Sequence, residues 1–206
     1  MTALPFEALV FDLGGVIIPH DNAVMYRRLA SRCSRPEALE LIEAAAHDPR
    51  YGIGVLPIAA LHQRLCREAG YDAGWDQFRD DWCCHLSVDP AMLALVQRLA
   101  EANRILLFSN TNREHWEHIR LMTGGAVDRF EPYLSHEIGQ AKPEVAAFQR
   151  VAQRAGFEPR RALFIDDLTR HVAGARAAGF TAHHFTGQAG LETYLDALRR
   201  QESEAT

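Results

Sequence analysis

Three short stretches of this chain end in residues whose types suit joint chemistry. Asp12 follows Ala8-Leu9-Val10-Phe11, Ser109-Asn110 follow Ile105-Leu106-Leu107-Phe108, and Asp166-Asp167 follow Ala162-Leu163-Phe164-Ile165. A carboxylate at the end of such a stretch can act as a nucleophile or as a hard oxygen ligand. Asp12, Asp166 and Asp167, if crowded together, repel one another unless a cation is held between them. A divalent ion that prefers oxygen ligands meets that need. A zinc site is not expected, because the ten histidines include no HExxH run and the four cysteines no CxxC pair.

The elements that must position these residues follow from the same stretches. Each is continuously apolar rather than alternating, which is the pattern of a strand buried on both faces, and such strands belong to parallel sheets. Ligands of open α/β sheets bind beyond the carboxyl ends of the strands, so three polar clusters from distant parts of the chain converge on one edge. The expected fold is α/β, a Rossmann-like and mostly parallel sheet flanked by helices. Asp89 and Pro90 read as N-cap and first residue of a helix carrying Met92, Leu93, Leu95, Val96 and Leu99. Three helices are expected to stop at Ala69-Gly70-Tyr71, Ala155-Gly156-Phe157 and Ala178-Gly179-Phe180, with glycine just past the last turn and the aromatic packing back.

Residues 19–88 read differently, as helices with no clear strand. Ser34 and Glu37 have capping-box spacing before the segment 39–46, Asp48-Pro49 closes that segment, and Pro57 opens another with Leu61, Leu65 and Cys66 on one face. Trp75, Phe78 and Trp82 are spaced to share a face of a third helix. The expected organisation is a core of residues 1–18 and 89–206 with a small helical cap, 19–88, inserted after the first strand.

Composition bounds the function classes. The 206 residues suffice for one core plus a modest insertion. With 48% hydrophobic residues the chain is not disordered, and a formal net charge of -5 argues against a general nucleic-acid binder. No stretch approaches the roughly 18–20 apolar residues that cross a bilayer. No Lys or Arg precedes Arg27, so no secretory signal is expected, and Cys33, Cys66, Cys83 and Cys84 read as reduced thiols of a cytoplasmic protein. The acidic tail at 202–204 reads as a solvated end.

Four ordered motifs carry a resemblance. Val10-Phe11-Asp12-Leu13-Gly14-Gly15-Val16-Ile17 resembles the first motif of the haloacid dehalogenase superfamily, Ser109-Asn110-Thr111-Asn112 the second, Lys142-Pro143-Glu144 the third and Phe164-Ile165-Asp166-Asp167 the fourth. The chain is most similar to the helical-cap phosphatases of that superfamily, among them glucose-1-phosphate phosphatase-like proteins and the N-terminal domain of soluble epoxide hydrolases. The resemblance implies a Mg²⁺-dependent phosphatase acting on a small phosphorylated metabolite, such as a sugar phosphate. Neither nucleic acid nor membrane is implied as a partner, and the expected assembly is a monomer or homodimer. It implies Asp12 as nucleophile. Asp12, the Gly14 carbonyl and Asp167 would be the Mg²⁺ ligands, with Asp166 binding more loosely or through water.

A phosphate monoester repels attackers by its own charge, and that charge must be neutralised before a nucleophile can reach it. Lys142 has an ammonium that can balance Asp12 and the phosphoryl oxygens, and the proline after it disfavours helix and holds it on a loop. Ser109 and the Asn110 amide can donate to the phosphoryl group, and Arg113 is a candidate for steering an anion from the rim. The sequence departs from the family pattern at Gly14, where an aspartate that protonates the leaving oxygen is usual. His20, Asp21 and His47 are candidates to replace it. A second departure is His171, where asparagine is common, and it bears on hydrogen bonding around the double aspartate. Two alternatives stand beside the phosphatase: a metal-independent 2-haloacid dehalogenase, disfavoured by Asp166-Asp167, and a catalytically weak phospho-ligand binding module.

Overall fold

The computed structural model describes residues 3–205. Strand β1 (Ala8–Phe11) is followed by five helices, α1 (Asn22–Ala30), α2 (Ala38–Ala46), α3 (Pro49–Gly52), α4 (Ile58–Glu68) and α5 (Trp75–Cys83). Helix α6 (Pro90–Leu99) leads to β2 (Ile105–Ser109), and α7 (Arg113–Met122) to β3 (Glu131–Leu134). Helices α8 (Ser135–Ile138) and α9 (Val145–Ala155) precede β4 (Ala162–Asp166), and α10 (Thr169–Ala177), β5 (Thr181–His184) and α11 (Gln188–Ala205) complete the chain.

Among the described residues, five strands form one parallel sheet in the order β3-β2-β1-β4-β5. The three apolar runs are its centre, and every residue of β1, β2 and β4 is buried. Alternate side chains enter opposite layers, as the strand period requires. Leu9, Phe11, Leu107 and Leu163 pack with Met92 and Val96 of α6, while Val10, Phe108 and Phe164 pack with Phe148 of α9 and Val172 of α10. The edge strands β3 and β5 were not expected from sequence. Glu131, Pro132 and His184 leave them partly exposed, so neither reads as a buried apolar run.

Helices α1 to α5 enclose a core of their own around Leu29, Ile42, Leu61, Leu65, Phe78 and Trp82. The expected aromatic face of α5 is present, with Phe78 stacked on Trp75 at 5.7 Å and on Trp82 at 6.0 Å. Asp81, buried in this layer, accepts from Arg28, Arg32, Gln77 and the Tyr71 hydroxyl and so ties α5 to α1. Burial alone would raise its carboxyl, but those hydrogen bonds outweigh burial and hold it below the usual range.

The local signals fare unequally. Asp89 caps α6, accepting from the Ala91 and Met92 amides at 3.0 Å each. The three aromatics after the helix-stopping glycines turn back as expected, with Tyr71, Phe157 and Phe180 amides donating to Leu65, Ala152 and Ala175 carbonyls. The capping box at Ser34 and Glu37 does not form: α2 begins at Ala38 with no side-chain cap, and the Ser34 amide bonds to Gly70 instead. A contact with the start of the α4–α5 connection wins over the local motif. Asp48 and Pro49 open α3, with the Asp48 carboxylate accepting from the Arg50 amide. Among the described residues no helix is long and apolar enough to cross a membrane, and the four cysteines are free. Cys66 is exposed and does not share the buried face of Leu61 and Leu65, since one residue beyond Leu65 the helix has turned it toward solvent. The side chains of the acidic tail at 202–204 lie outside the described residues.

Candidate active site

The carboxyl ends of β1, β2 and β4 bring the expected residues to one edge of the sheet. Phe11 pairs with Ile165, and the Asp12 amide donates to the Ile165 carbonyl at 2.9 Å, so Asp12 and Asp166 stand side by side on neighbouring strands. Ser109 ends β2, the strand on the other side of β1. Lys142 arrives from the turn between α8 and α9, with its ammonium fully buried. Its Nζ lies 2.9 Å from Asp12 Oδ1 and 2.7 Å from Asp166 Oδ2. The rings of Phe108 and Phe164 flank that ammonium, their centroids 5.4 and 5.3 Å away. The two strands that deliver Ser109 and Asp166 thus also build the wall that fixes the lysine.

Asn110 holds the lysine's backbone. Its side-chain amide donates to the Lys142 carbonyl at 2.8 Å, and its Oδ1 accepts from the Lys142 amide at 2.9 Å. The side chain is therefore a bracket between two loops, a role its place in the second motif does not disclose. The loop also leans on α10. A Cβ at Gly174 would stand 2.2 Å from the Pro143 carbonyl oxygen, so only glycine lets the helix come this close.

Asp166 is saturated by protein donors. Lys142 and His171 Nδ1 donate to its carboxylate, the latter at 3.0 Å, and the Leu168 amide donates at 2.8 Å. Burial opposes its charge, but the His171 hydrogen bond and the Lys142 ammonium outweigh burial and hold its carboxyl well below the usual range. His171, the second departure from the family pattern, thus steadies Asp166. Asp12, Asp166 and His171 have potential ligand atoms within 4.8 Å of one another. His171 Nδ1 is occupied by its bond to Asp166, however, and is not free to bind a metal. Asp12 is poised differently. Burial pushes its carboxyl up to about 6, Lys142 acts against this and the Asp166 carboxylate reinforces it. The site therefore wants one more positive charge near Asp12.

Asp167 supplies the observation that bears on a metal. Its Oδ1 is buried with no hydrogen-bond partner, an expensive arrangement for a carboxylate unless a cation meets it. His184 Nε2 donates to its carbonyl at 2.9 Å and steadies the loop. The donor set of Asp12, Asp167 and the Gly14 carbonyl is all oxygen, which fits Mg²⁺. Gly15 makes room for it: at φ 72° a Cβ here would lie 2.2 Å from Asp167 Oδ2. Gly15→Ala is expected to displace Asp167 and weaken Mg²⁺ binding roughly tenfold or more, in the range seen for disturbing a ligand's support. Calorimetric titration with Mg²⁺ checks this; unchanged affinity would count against Asp167 as a ligand.

A cavity of about 500 Å³ opens over this edge, lined by Gly14, Ser109, Asn110 and Lys142 on one side and by Met25, Tyr26, Tyr51 and Trp82 on the other. Arg113 is not brought to it. Its side chain is 76% exposed and pairs with Glu117 at 2.7 Å. The three candidates for the missing proton donor separate clearly. Asp21 caps α1, accepting from the Ala23 amide, and His47 Nδ1 is bonded to the Glu43 carbonyl. His20 lies over Gly14, where a Cβ would come within 3.2 Å of His20 Cε1. The ring therefore fills the space beside residue 14 that a side chain there would need.

Sequence reasoning did not place His85, Trp82 or Asn112 at the cavity. Asn112 caps α7, accepting from the His115 amide. Trp82 stacks on the His115 ring at 5.0 Å, and His85 meets that ring edge-on at 5.0 Å. The aromatic spacing in α5 marked Trp82 as core, but no local signal places it at a cavity.

Residues 6–179 match the family model for haloacid dehalogenase-like hydrolases. The chain is 43% identical over 196 residues to a phosphatase of Mycobacterium tuberculosis, with 87% of each chain covered. Its fold is similar to that of a HAD family enzyme of Bacteroides thetaiotaomicron crystallised with magnesium and inorganic phosphate. The TM-score is 0.78 and the identity 26%, over 90% of this chain and 95% of that one. A 2-haloacid dehalogenase of Pseudomonas syringae shares the fold at TM-score 0.61 and 22% identity, over 86% and 85% of the two chains.

Proposed function

The chain belongs to the haloacid dehalogenase-like hydrolases, and from that membership we propose that it is a Mg²⁺-dependent phosphatase of small phosphate monoesters, sugar phosphates among those to be tried. One observation carries the reading: the buried Lys142 ammonium, which lines the cavity together with Gly14 and Ser109, lies 2.9 Å from the Asp12 carboxylate at the end of β1. Residues 19–88 serve as a cap over the core of 1–18 and 89–206, excluding water and shaping the cavity.

The Asp12 carboxylate attacks phosphorus. The bond to the leaving oxygen breaks, and a phosphoryl group is left on Asp12. Water then attacks that aspartyl-phosphate, releasing inorganic phosphate and restoring the carboxylate. The Leu13 amide donates to Asp12 Oδ1 at 2.7 Å and Lys142 at 2.9 Å, so the nucleophile is oriented before substrate arrives. Lys142 and Ser109 neutralise and hold the phosphoryl oxygens. Asp166 keeps Lys142 in place, and the Asn110 bracket keeps its loop there. Asp12, the Gly14 carbonyl and Asp167 would hold Mg²⁺, which when bound supplies positive charge for the phosphoryl oxygens. That a relative of this fold is crystallised with magnesium and inorganic phosphate supports a Mg²⁺-dependent reading of the site.

Hydrolysis of p-nitrophenyl phosphate should require Mg²⁺, cease in chelator and return on adding Mg²⁺. Equal turnover in chelator would end the reading, and halide release from 2-chloropropionate under those conditions would favour the dehalogenase instead.

His20 takes the place of the missing aspartate and protonates the leaving oxygen. His20→Asn is expected to slow benzyl phosphate hydrolysis by about 10²-fold, the lower range for loss of a proton donor. p-Nitrophenyl phosphate, whose phenolate leaves unprotonated, should lose far less. An equal loss for both substrates would remove His20 from that role.

A further inference from the structure

We propose that the cavity selects monoesters whose body, beyond the phosphate, is uncharged and largely apolar, an aryl or alkyl group rather than a nucleotide, a bisphosphate or a phosphorylated acid. The inference rests on the phosphatase reading, because that reading puts the phosphoryl group at Asp12 and the body in the space above it.

The charge inventory of the cavity carries the first half. Among the described residues that line it, Lys142 is the sole lysine or arginine. That ammonium is already shared between Asp12 and Asp166. Glu144, exposed at the lining, adds negative charge. Arg113, the nearest candidate for a second anion anchor in the sequence, is exposed and paired with Glu117. Burial drives His85 down to about 4 and His115 to about 3, so neither lends a positive charge at neutral pH. His20 and His47 also line the space, but His20 sits over Gly14 and gives its proton to the leaving oxygen, and His47 Nδ1 is bonded to the Glu43 carbonyl. A second anionic group brought into this space would be desolvated without a counter-charge.

The walls carry the second half. Met25, Tyr26, Tyr51, Ile58, Trp82 and Leu86 line the same space as Ser109 and Lys142. Trp82 is held flat between Phe78 and His115, each ring within 14° of parallel to it, so the wall is rigid. A volume of about 500 Å³ holds a ligand of modest size and falls in the range of ordinary small-molecule sites. Polar residues interrupt the wall, His20, Asn22, His47 and Asn112 among them, and the buried, unpartnered His85 Nδ1 offers a neutral hydrogen bond.

The test compares calorimetric binding of three phosphonates to the Mg²⁺-loaded protein: methylphosphonate, benzylphosphonate and 4-carboxybenzylphosphonate. Benzylphosphonate is expected to bind at least tenfold tighter than methylphosphonate, and 4-carboxybenzylphosphonate at least tenfold weaker than benzylphosphonate. A smaller difference in either comparison overturns the proposal. Asn22, exposed at the cavity lining, permits a gain-of-function variant. Asn22→Arg should narrow the gap between the benzyl and carboxybenzyl ligands at least fivefold, and a gap left unchanged overturns the proposal. Turnover of benzyl phosphate, followed in parallel, keeps the two readings apart. Selective binding without turnover overturns the phosphatase reading and leaves the selectivity standing, whereas turnover with unselective binding overturns the selectivity alone.

Discussion

Asp12→Asn is expected to reduce phosphatase turnover by at least about 10⁴-fold, the scale on which losing an attacking nucleophile is felt. The amide keeps the size of the carboxylate and can still accept from the Leu13 amide, but it cannot form an acyl phosphate that water later opens. The fold should survive the change. Lys142 keeps its 2.7 Å contact with Asp166, and burial already works against the Asp12 charge, so a neutral side chain suits the pocket. Circular dichroism and denaturation midpoints should match the parent protein while steady-state and single-turnover assays show the loss. Turnover retained within tenfold would mean that another group attacks phosphorus, and the reading of the site would fall with it.

Lys142→Met is expected to damage both activity and stability. Turnover should fall by about 10³-fold, the upper range for removing one preorganised charge-stabilising donor. Stability should fall by about 3–5 kcal/mol, because removing the cation leaves a buried carboxylate with too little compensation. The residue most affected is Asp166, which is fully buried. Its folded carboxyl titrates below the ordinary value, so in the parent protein it contributes stability that is fully present above that ordinary value and lost as pH falls through the lower, folded one. Without Lys142 part of this contribution is gone, while the His171 hydrogen bond remains. The stability gap between parent and variant should therefore be widest near neutral pH and shrink below about pH 4, where unfolded carboxylates take up protons. Urea denaturation at a series of pH values reads this directly. A gap that does not depend on pH would show that the lysine acts through packing between Phe108 and Phe164 rather than through its charge.

Much of this molecule is legible in the order of its residues. A strand buried on both faces can contain little but apolar residues, so Ala8–Phe11, Ile105–Ser109 and Ala162–Asp166 announce the centre of a parallel sheet. The topology of such a sheet puts its ligands at the carboxyl edge, so the strand ends alone bring Asp12, Ser109 and Asp166 to one place. Asp89 with Pro90 likewise states its own helix start, because the cap and the groups it satisfies are only a few residues apart.

What the tertiary structure alone decides involves side chains that meet across long stretches of chain. Asn110 brackets Lys142 from 32 positions away, and His171 bonds a carboxylate whose other partner is that same lysine. The His20 ring occupies the room left at Gly14, and Arg113 points to solvent although it adjoins the second motif. The edge strands β3 and β5 also escape a local reading, since a strand covered on fewer sides need not be apolar throughout. Residue type and period constrain which groups reach the sheet edge. The direction each side chain takes there, and the partner it finds, depend on packing between segments that the local pattern does not connect.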